Sequence, residues 1–375
     1  MLYFSRKCLK TFSHLLMYKF YSSIILILFV SMTVQAQWQK QEVNTTADFR
    51  GLDVVNENVI WASGTKGTVI RTVDGGKSWD VFNVPDADKL DFRDIEGFDA
   101  ETAYVLSIGN GESSRIYKTT DGGKNWKLQF KNTNKKAFFD AFAFWDSEHG
   151  IAMSDPVDGF FLTITTEDGG KTWRQTGTDK MPPAIAGEAA FAASGTCIFT
   201  QGKQNVWIVS GGKTARVFRS VNRGKSWLVS ETPIIGGADA TGIFSVNFRD
   251  AKNGVIVGGD YTKPNEGTKN IAVTKDGGKS WTLFALSAGY RSCVVFAGKA
   301  LIAAVGTSGS DISFDNGKTW KALDKENYNS VATFNSKSIR AVWAVGPKGR
   351  VAKFSEYGLI DITNSFIKIR LWTKI

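Results

Sequence analysis

A nine-residue string occurs six times in this chain, and it limits the possible folds more than any other feature. It reads RTVDGGKSW at residues 71–79. The acidic position of the string, which is Asn in one copy, falls at Asp74, Asp121, Asp168, Asn222, Asp276 and Asp315. The closing tryptophans are Trp79, Trp126, Trp173, Trp227, Trp281 and Trp320. The acidic positions are separated by 47, 47, 54, 54 and 39 residues, and periods near 40–50 in strand-rich sequence indicate propeller blades.

Four strands are predicted in each unit. In the first unit they are GLDVV, VIWASG, TVIRT and, after the repeated string, WDVFNV. Four strands arranged radially hide most sheet edges. A seventh unit at 343–351, WAVGPKGRV, resembles WASGTKGTV at 61–69, but no tryptophan follows it.

The missing strand of the seventh unit is found at the other end of the sequence. WQKQEV at 38–43 resembles the fourth strand that elsewhere follows the string. We therefore predict an all-β, seven-bladed β-propeller with four-stranded antiparallel blades over residues 37–358, closed by the N-terminal strand. Six or eight blades are the alternatives. Residues 359–375 form a C-terminal tail to which the sequence gives no role.

The repeated string is interpreted as a structural turn rather than six active sites. Glycine permits a positive φ, and an aspartate accepts hydrogen bonds from otherwise unpaired backbone N–H groups. The tryptophan can bury its flat surface while its N–H finds a partner at the turn. Catalysis needs groups that converge on one place, not a ring of identical copies.

The first 36 residues have the features of a signal peptide. An apolar run from Ile24 to Val30 follows Lys19 and precedes Val34-Gln35-Ala36, with Met17 as a possible true start. We expect an exported protein, periplasmic or extracellular, with no stable membrane anchor after cleavage. The remaining cysteines, Cys197 and Cys293, are too few for a disulfide framework, and we expect two buried free thiols, although a bridge between them stays open.

The positive charge of the protein is spread over the repeat. Loss of residues 1–36 removes four basic side chains and lowers the formal charge from +10 to +6. One lysine recurs in each copy of the string: Lys77, Lys124, Lys171, Lys225, Lys279 and Lys318. Nucleic-acid binding usually shows a clustered basic stripe, so we predict no nucleic-acid partner.

The string also resembles a known motif. Ser/Thr-x-Asp-x-Gly-x-Thr/Ser-Trp is similar to the Asp box of sialidase-like and BNR-repeat propellers. Whole blades, such as FRGLDVVNENVIWASGTKGTVIRTVDGGKSW, resemble the exported propellers related to the photosystem II stability/assembly factor. The resemblance implies a propeller over roughly residues 38–358 and favours an assembly or binding role.

Strand polarity predicts where a ligand would bind. If each innermost strand starts at the top of the ring, the Asp boxes lie underneath, and the connections before the first strands share the top with the second–third turns. Long top-face segments in blades two to five favour a pocket there. The predicted ligand-binding residues are Arg50, Arg93, Asp94, Asp140, Glu188, Asp260 and Arg291.

Two functions of different class are compatible with these residues. The first is a binding or assembly module, because the planar fork of arginine suits carboxylates of a protein segment or glycan. The alternative is a glycoside hydrolase, since the sialidase resemblance implies arginines, a Tyr–Glu pair and an acid/base Asp. Its candidate catalytic residues are Asp140, Asp155, Glu188 and Tyr290. The expected arginine-Ile-Pro segment is missing, so the binding module is favoured over an enzyme.

Other chemistries lack the residues they need. The only histidines are His14, in the leader, and His149, so a histidine triad or histidine metal site is disfavoured. Asp155 and Asp158 could contribute calcium ligands, but no loop offers a full shell of oxygens. We predict no cofactor, no metal site and a monomer.

Overall fold

Thirty short strands, β1–β30, make up the computed structural model, which describes residues 37–284, 289–335 and 340–355. Blade I contains β2 (Phe49–Val54), β3 (Ile60–Gly64), β4 (Thr68–Thr72) and β5 (Asp80–Asn83). Blade II contains β6 (Phe92–Gly97), β7 (Ala103–Ser107), β8 (Arg115–Thr119) and β9 (Lys127–Lys131), with a 3₁₀ turn at Gly111–Ser113. Blade III contains β10 (Phe139–Phe144), β11 (Gly150–Val157), β12 (Phe160–Thr166) and β13 (Arg174–Gln175).

The second half of the ring repeats this organisation. Blade IV contains β15 (Ile198–Gln201), β16 (Asn205–Val209), β18 (Arg216–Ser220) and β19 (Leu228–Glu231). Blade V contains β20 (Thr241–Phe248), β21 (Gly254–Asp260), β22 (Ile271–Thr274) and β23 (Thr282–Leu283), extended by β14 (Glu188–Ala189) and β17 (Gly211–Gly212). Blade VI contains β24 (Cys293–Phe296), β25 (Ile302–Gly306), β26 (Gly309–Ser313) and β27 (Lys321–Asp324). Blade VII contains β28 (Ser330–Asn335), β29 (Arg340–Val345), β30 (Val351–Ser355) and β1 (Gln37–Gln41).

The seven sheets form a closed ring. The innermost strands contact one another in the cyclic order β2, β6, β10, β15, β20, β24, β28 and back to β2. The sheet of blade VII has the strand order β1-β30-β29-β28, so β1, near the N-terminus, completes the last blade. Both the blade number and the closure by the N-terminal strand are therefore confirmed. The predicted leader (1–36) and tail (359–375) lie outside the described residues.

Each Asp box is a hydrogen-bonded turn of the same design. In blade I, Thr72 Oγ1 donates to Asp74 Oδ1 at 2.8 Å, and Asp74 also accepts from the backbone N and the hydroxyl of Ser78. These bonds favour the carboxylate form and hold the pKa of Asp74 well below its ordinary value. Asn222 keeps the pattern, accepting from Ser220 Oγ and from the backbone N of Ser226. The structural interpretation of the repeated string is thus consistent with its geometry.

The glycines of the boxes let each turn approach the blade before it. Gly76 has φ +90°, and a Cβ added there would overlap Trp343 Cη2 of blade VII. Gly170 of blade III faces Tyr104 of blade II in the same way, and the Tyr104 hydroxyl donates to Gly169 O at 2.6 Å. The Asp boxes therefore stabilise contacts between blades as well as turns within them.

The box tryptophans behave in two ways, which corrects part of the prediction about their N–H groups. Three of them donate Nε1 to a glycine carbonyl of their own turn: Trp126, Trp227 and Trp320. The other three leave Nε1 without a hydrogen-bond partner among the described residues: Trp79, Trp173 and Trp281. These three pack edge-on against aromatic rings, as Trp79 does against Trp343 with centroids 5.7 Å apart. We attribute the difference to the neighbouring ring, which gives the indole an edge-to-face contact in place of the carbonyl.

The cysteine prediction is confirmed. Cys197 and Cys293 are both buried and free. Burial raises the pKa of the Cys197 thiol, which keeps it protonated and unreactive. In the part of the sequence that the structure describes, no helix has the length and apolar character to cross a bilayer.

The contact between an Asp box and the preceding blade predicts unequal effects of two glycine substitutions. Gly202→Ala adds a methyl group at φ +63° in open space and should cost about 1–2 kcal/mol of unfolding free energy. Gly76→Ala adds the same strain plus overlap with Trp343, and should cost at least about 2 kcal/mol more. Urea unfolding followed by fluorescence measures both, and equal losses would argue against the interblade contact.

Candidate functional site: the upper channel

The connection between blades III and IV crosses the upper end of the central channel. We call residues 190–196 the crossing segment. Arg93 Nη1 of blade II donates to Ala192 O at 2.9 Å, and Arg50 Nη1 of blade I donates to Ala193 O at 2.9 Å. On the other side, Ser194 Oγ donates to Ser292 O, beside blade VI, at 2.9 Å. The crossing segment is therefore held from opposite sides of the ring.

Above the crossing segment lies a cavity of about 340 Å³, which we call the upper cavity. Its aromatic wall is built by Phe191, which stacks on Phe244 with centroids 3.9 Å apart and an interplanar angle of 6°. Tyr261 and Tyr290 meet Phe244 edge-on and also line the cavity. Such a wall can bind an apolar or aromatic group and still offer hydroxyls.

Arg50 and Arg93 supply the positive charge of the upper cavity. Arg93 Nε donates to Asp91 Oδ2 at 2.7 Å, whereas Arg50 has no carboxylate within ion-pairing distance among the described residues. Burial, together with the like charge of Arg93, lowers the pKa of Arg50 from its ordinary value. The attraction of an anion that entered the cavity would offset both effects.

Beneath the crossing segment is a second cavity, of about 310 Å³, lined by Asp53, Asp94 and Glu96. Asp94 accepts hydrogen bonds from the backbone N of Ile95 and of Phe142, and burial raises its pKa well above the ordinary value. Burial also raises the pKa of Asp53 to about 6. Burial and the charges of Asp53 and Asp94 raise the pKa of Glu96 well above its ordinary value. Asp94, predicted as a top-face ligand residue, therefore lies below the crossing segment rather than beside the arginines.

Two further predicted site residues are engaged in buried ion pairs. Arg291 is 1% exposed, donates Nε to Asp311 Oδ2 at 2.6 Å and donates Nη1 to Tyr290 O. Glu188 pairs with Arg216 and accepts from Ser210 Oγ at 2.5 Å. The charged groups of Arg291 and Glu188 are therefore both paired inside the protein, and neither residue lines the upper cavity.

The remaining predicted residues, Asp140, Asp155 and Asp260, also lie outside the lining of the upper cavity. Asp155 Oδ1 accepts from the backbone N of Ala190 at 2.8 Å, which fastens the start of the crossing segment to blade III. Asp140 is 1% exposed, and its Oδ2 has no hydrogen-bond partner within the described residues. Burial and the charge of Asp155 raise the pKa of Asp140 well above its ordinary value. Asp260 accepts from the backbone and hydroxyl of Thr262 in a turn.

The structure thus brings together only part of the predicted site. Arg50, Arg93 and Tyr290 line the upper cavity, and Asp140, Asp155 and Glu188 do not. The arrangement expected for a glycosidase, with these carboxylates beside Tyr290 in one open pocket, is not formed in the upper cavity. Sequence reasoning missed Phe191 and Tyr261, although the long segments that carry them were expected on the top face.

The described part of the protein contains no set of side chains suited to binding a metal ion. No group of three or more His, Cys, Asp or Glu side chains there could hold a metal ion.

These features define an Asp-box β-propeller whose upper channel mouth combines arginines with an aromatic wall. The family model described as "Photosynthesis system II assembly factor YCF48" matches residues 30–131, and that of "BNR/Asp-box repeat" matches residues 311–322. The protein is therefore an Asp-box β-propeller that is similar to YCF48 over residues 30–131, so the resemblance noted in the sequence is confirmed. No curated protein matches it.

Solved structures show the same fold at low identity. A structure of YCF48 bound to a D1 peptide is 16% identical, covers 86% of this chain and 97% of its own, and has a TM-score of 0.61. YCF48 from Cyanidioschyzon merolae is 19% identical, covers 85% and 99%, and has a TM-score of 0.57. An ancestral GH74 enzyme is 13% identical, covers 85% and 46%, and has a TM-score of 0.58.

The two arginines Arg291 and Arg50 should differ in their effect on stability. Arg291→Met leaves the carboxylate of Asp311 buried without its partner and should cost about 3–5 kcal/mol of unfolding free energy. Arg50→Met removes one hydrogen bond from a half-buried, unpaired cation and should cost no more than about 1.5 kcal/mol. Urea unfolding compares them, and similar losses would refute the assignment of Arg291 to the framework.

The stability of the protein should depend on pH through Asp155. Burial raises the pKa of Asp155 to about 6 from an ordinary 3.8. The stabilisation from its protonated form is complete below about pH 4 and is lost as the pH rises through 6. Asp155→Asn cannot ionise, so its unfolding free energy should gain about 1–3 kcal/mol relative to wild type between pH 4 and 7. Parallel stability curves for the two proteins would contradict this expectation.

Proposed function

We propose that this protein is an exported binding or assembly module that recognises a protein segment at the upper cavity. The observation that carries the proposal is Arg50, a cation in the cavity without a carboxylate partner among the described residues. Arg93 adds a second positive charge beside it, and their repulsion favours an anionic ligand.

The aromatic wall specifies a second feature of the ligand. Phe191, Phe244 and Tyr261 form a surface next to the arginines that suits an apolar or aromatic side chain. We infer that the segment carries a carboxylate, from Asp, Glu or a free C-terminus, beside an apolar residue. The charge-assisted fork of arginine would bind the carboxylate, and the wall would bind its neighbour.

The comparisons support a protein ligand more than a glycan. YCF48, to which this propeller is similar, has been solved with a D1 peptide bound. We propose the same class of partner, a protein segment, for this propeller. The leader predicted at residues 1–36 supports action outside the cytoplasm, on a client in the periplasm or extracellular space.

A displayed peptide library, selected on residues 37–375, tests this proposal. We expect enriched peptides to place an acidic group next to an apolar or aromatic residue. A glycan array on the same preparation provides the second arm, and binding of glycans without peptides would replace the protein segment by a sugar.

The selected peptide should depend on Arg50. Arg50→Gln should weaken it at least about tenfold in fluorescence anisotropy, because a charge-assisted hydrogen bond is lost. Arg50→Lys keeps the charge but not the fork and should give an intermediate affinity. Lys136→Gln is the matched control, since Lys136 is an exposed cation paired with Asp158 outside the cavity. Equal affinities for all four proteins would end the proposal.

A further inference from the structure

The underside of the ring, opposite the upper cavity, has a strongly uneven charge. We define the underside by the first–second and third–fourth strand turns of blades I–VI. The turns of blades IV–VI carry nine basic residues: Lys203, Arg223, Lys225, Arg249, Lys252, Lys275, Lys279, Lys299 and Lys318. They carry three acidic residues: Asp250, Asp276 and Asp315. We call this half of the underside the basic half.

The turns of blades I–III have the reverse composition. Three lysines, Lys77, Lys124 and Lys171, stand against nine carboxylates: Glu57, Asp74, Asp99, Glu101, Asp121, Asp146, Glu148, Glu167 and Asp168. The repeated lysine of the Asp box is present on both sides, so the asymmetry comes from the residues around it. The box position is therefore not sufficient to explain the basic half.

The lysines of the basic half are available to a partner. All seven of its lysines are exposed, and none has a carboxylate within 4 Å among the described residues. Two of its three carboxylates, Asp276 and Asp315, are engaged by hydrogen bonds within their own turns. The positive charge is thus largely uncompensated by side chains of this protein.

Apolar side chains project among these lysines. Val221 is 60% exposed and Phe314 is 50% exposed, and each directly precedes the Asn or Asp of its box. Because the boxes share one hydrogen-bonded geometry, the two side chains occupy equivalent places in their turns. Two exposed apolar side chains in equivalent positions, with lysines around them, suit a flat partner. Such a partner would have an anionic surface with an apolar layer directly below it.

A groove between blades V and VI lies within the basic half. It has a volume of about 210 Å³ and is lined by Arg249, Lys275 and Lys318 together with Phe284 and Phe296. Arg249 lies over the Phe296 ring, 5.5 Å from its centroid. The cations of this groove can bind an anionic lipid headgroup, and its phenylalanine side chains can contact the acyl chain of the same lipid.

We propose that the basic half of the underside docks on an anionic membrane surface. Lysines and arginines near an anionic leaflet are attracted to it, each contributing about a fivefold increase in binding. Apolar side chains such as Val221 and Phe314 can enter the boundary between headgroups and acyl tails. Blades I–III would be repelled by the same surface, so the ring docks by one side and the upper cavity stays open to solvent.

Vesicle flotation tests the proposal on residues 37–375, which contain all the strands that the structure describes. At an ionic strength of about 0.15 M, we expect binding to vesicles of phosphatidylglycerol and phosphatidylcholine, and no binding to phosphatidylcholine alone. The triple variant Lys225→Gln, Lys279→Gln and Lys318→Gln should bind about a hundredfold more weakly.

The other three box lysines provide a control with the same change in net charge. The variant Lys77→Gln, Lys124→Gln and Lys171→Gln should keep its binding, because these lysines lie in the acidic half. Equal losses in the two triple variants would show attraction by net charge and overturn the proposal. Absence of flotation, including the case where heparin or nucleic acid binds instead, would also overturn it.

A fluorophore reports the orientation directly. Phe314→Cys and Thr120→Cys place a label at the equivalent exposed box position on opposite halves, while Cys197 and Cys293 are buried away from the reagent. We expect a blue shift with anionic vesicles for the label at 314 and not for the label at 120. A shift at both positions, or only at 120, would contradict docking by the basic half.

Discussion

The Asp-box turn is the interaction on which the rest of this structure depends. Its carboxylate accepts hydrogen bonds from the turn backbone and from flanking hydroxyls, so a tight glycine turn keeps few unpaired groups. The same turn presses its second glycine against the preceding blade, as Gly76 does against Trp343. A single local motif therefore fixes both the bend of each sheet and its distance from the next.

The two faces of this closed ring are built from different segments of the chain. Repeated turns occupy the underside, where variation affects charge and exposed side chains but not the turn geometry. The upper face carries the connections between blades, and one of these, residues 190–196, has been drawn across the channel. This segment divides the channel into a cationic, aromatic cavity above and an acidic cavity below. We propose the upper cavity as the recognition site because Arg50 there has no carboxylate partner among the described residues.

The two proposals fit one orientation of the molecule. Docking by the basic half of the underside would turn the upper cavity away from the membrane, toward segments of proteins that emerge from it. Recognition depends on short-range hydrogen bonds and aromatic contacts, whereas docking depends on many exposed charges that salt screens. The two activities should therefore respond differently to salt.

The sequence by itself determined the fold. Periodic boxes fixed the blade size, and the match between residues 343–351 and 61–69 revealed the seventh blade and the strand that completes it, because these signals are local and repeated. The site needed the tertiary structure. Arg50, Arg93 and Arg291 all sit at the starts of first strands, yet Arg291 turns inward to Asp311 while Arg50 faces the cavity. That choice depends on which side chains from distant blades lie within reach, and no repeat in the sequence encodes it.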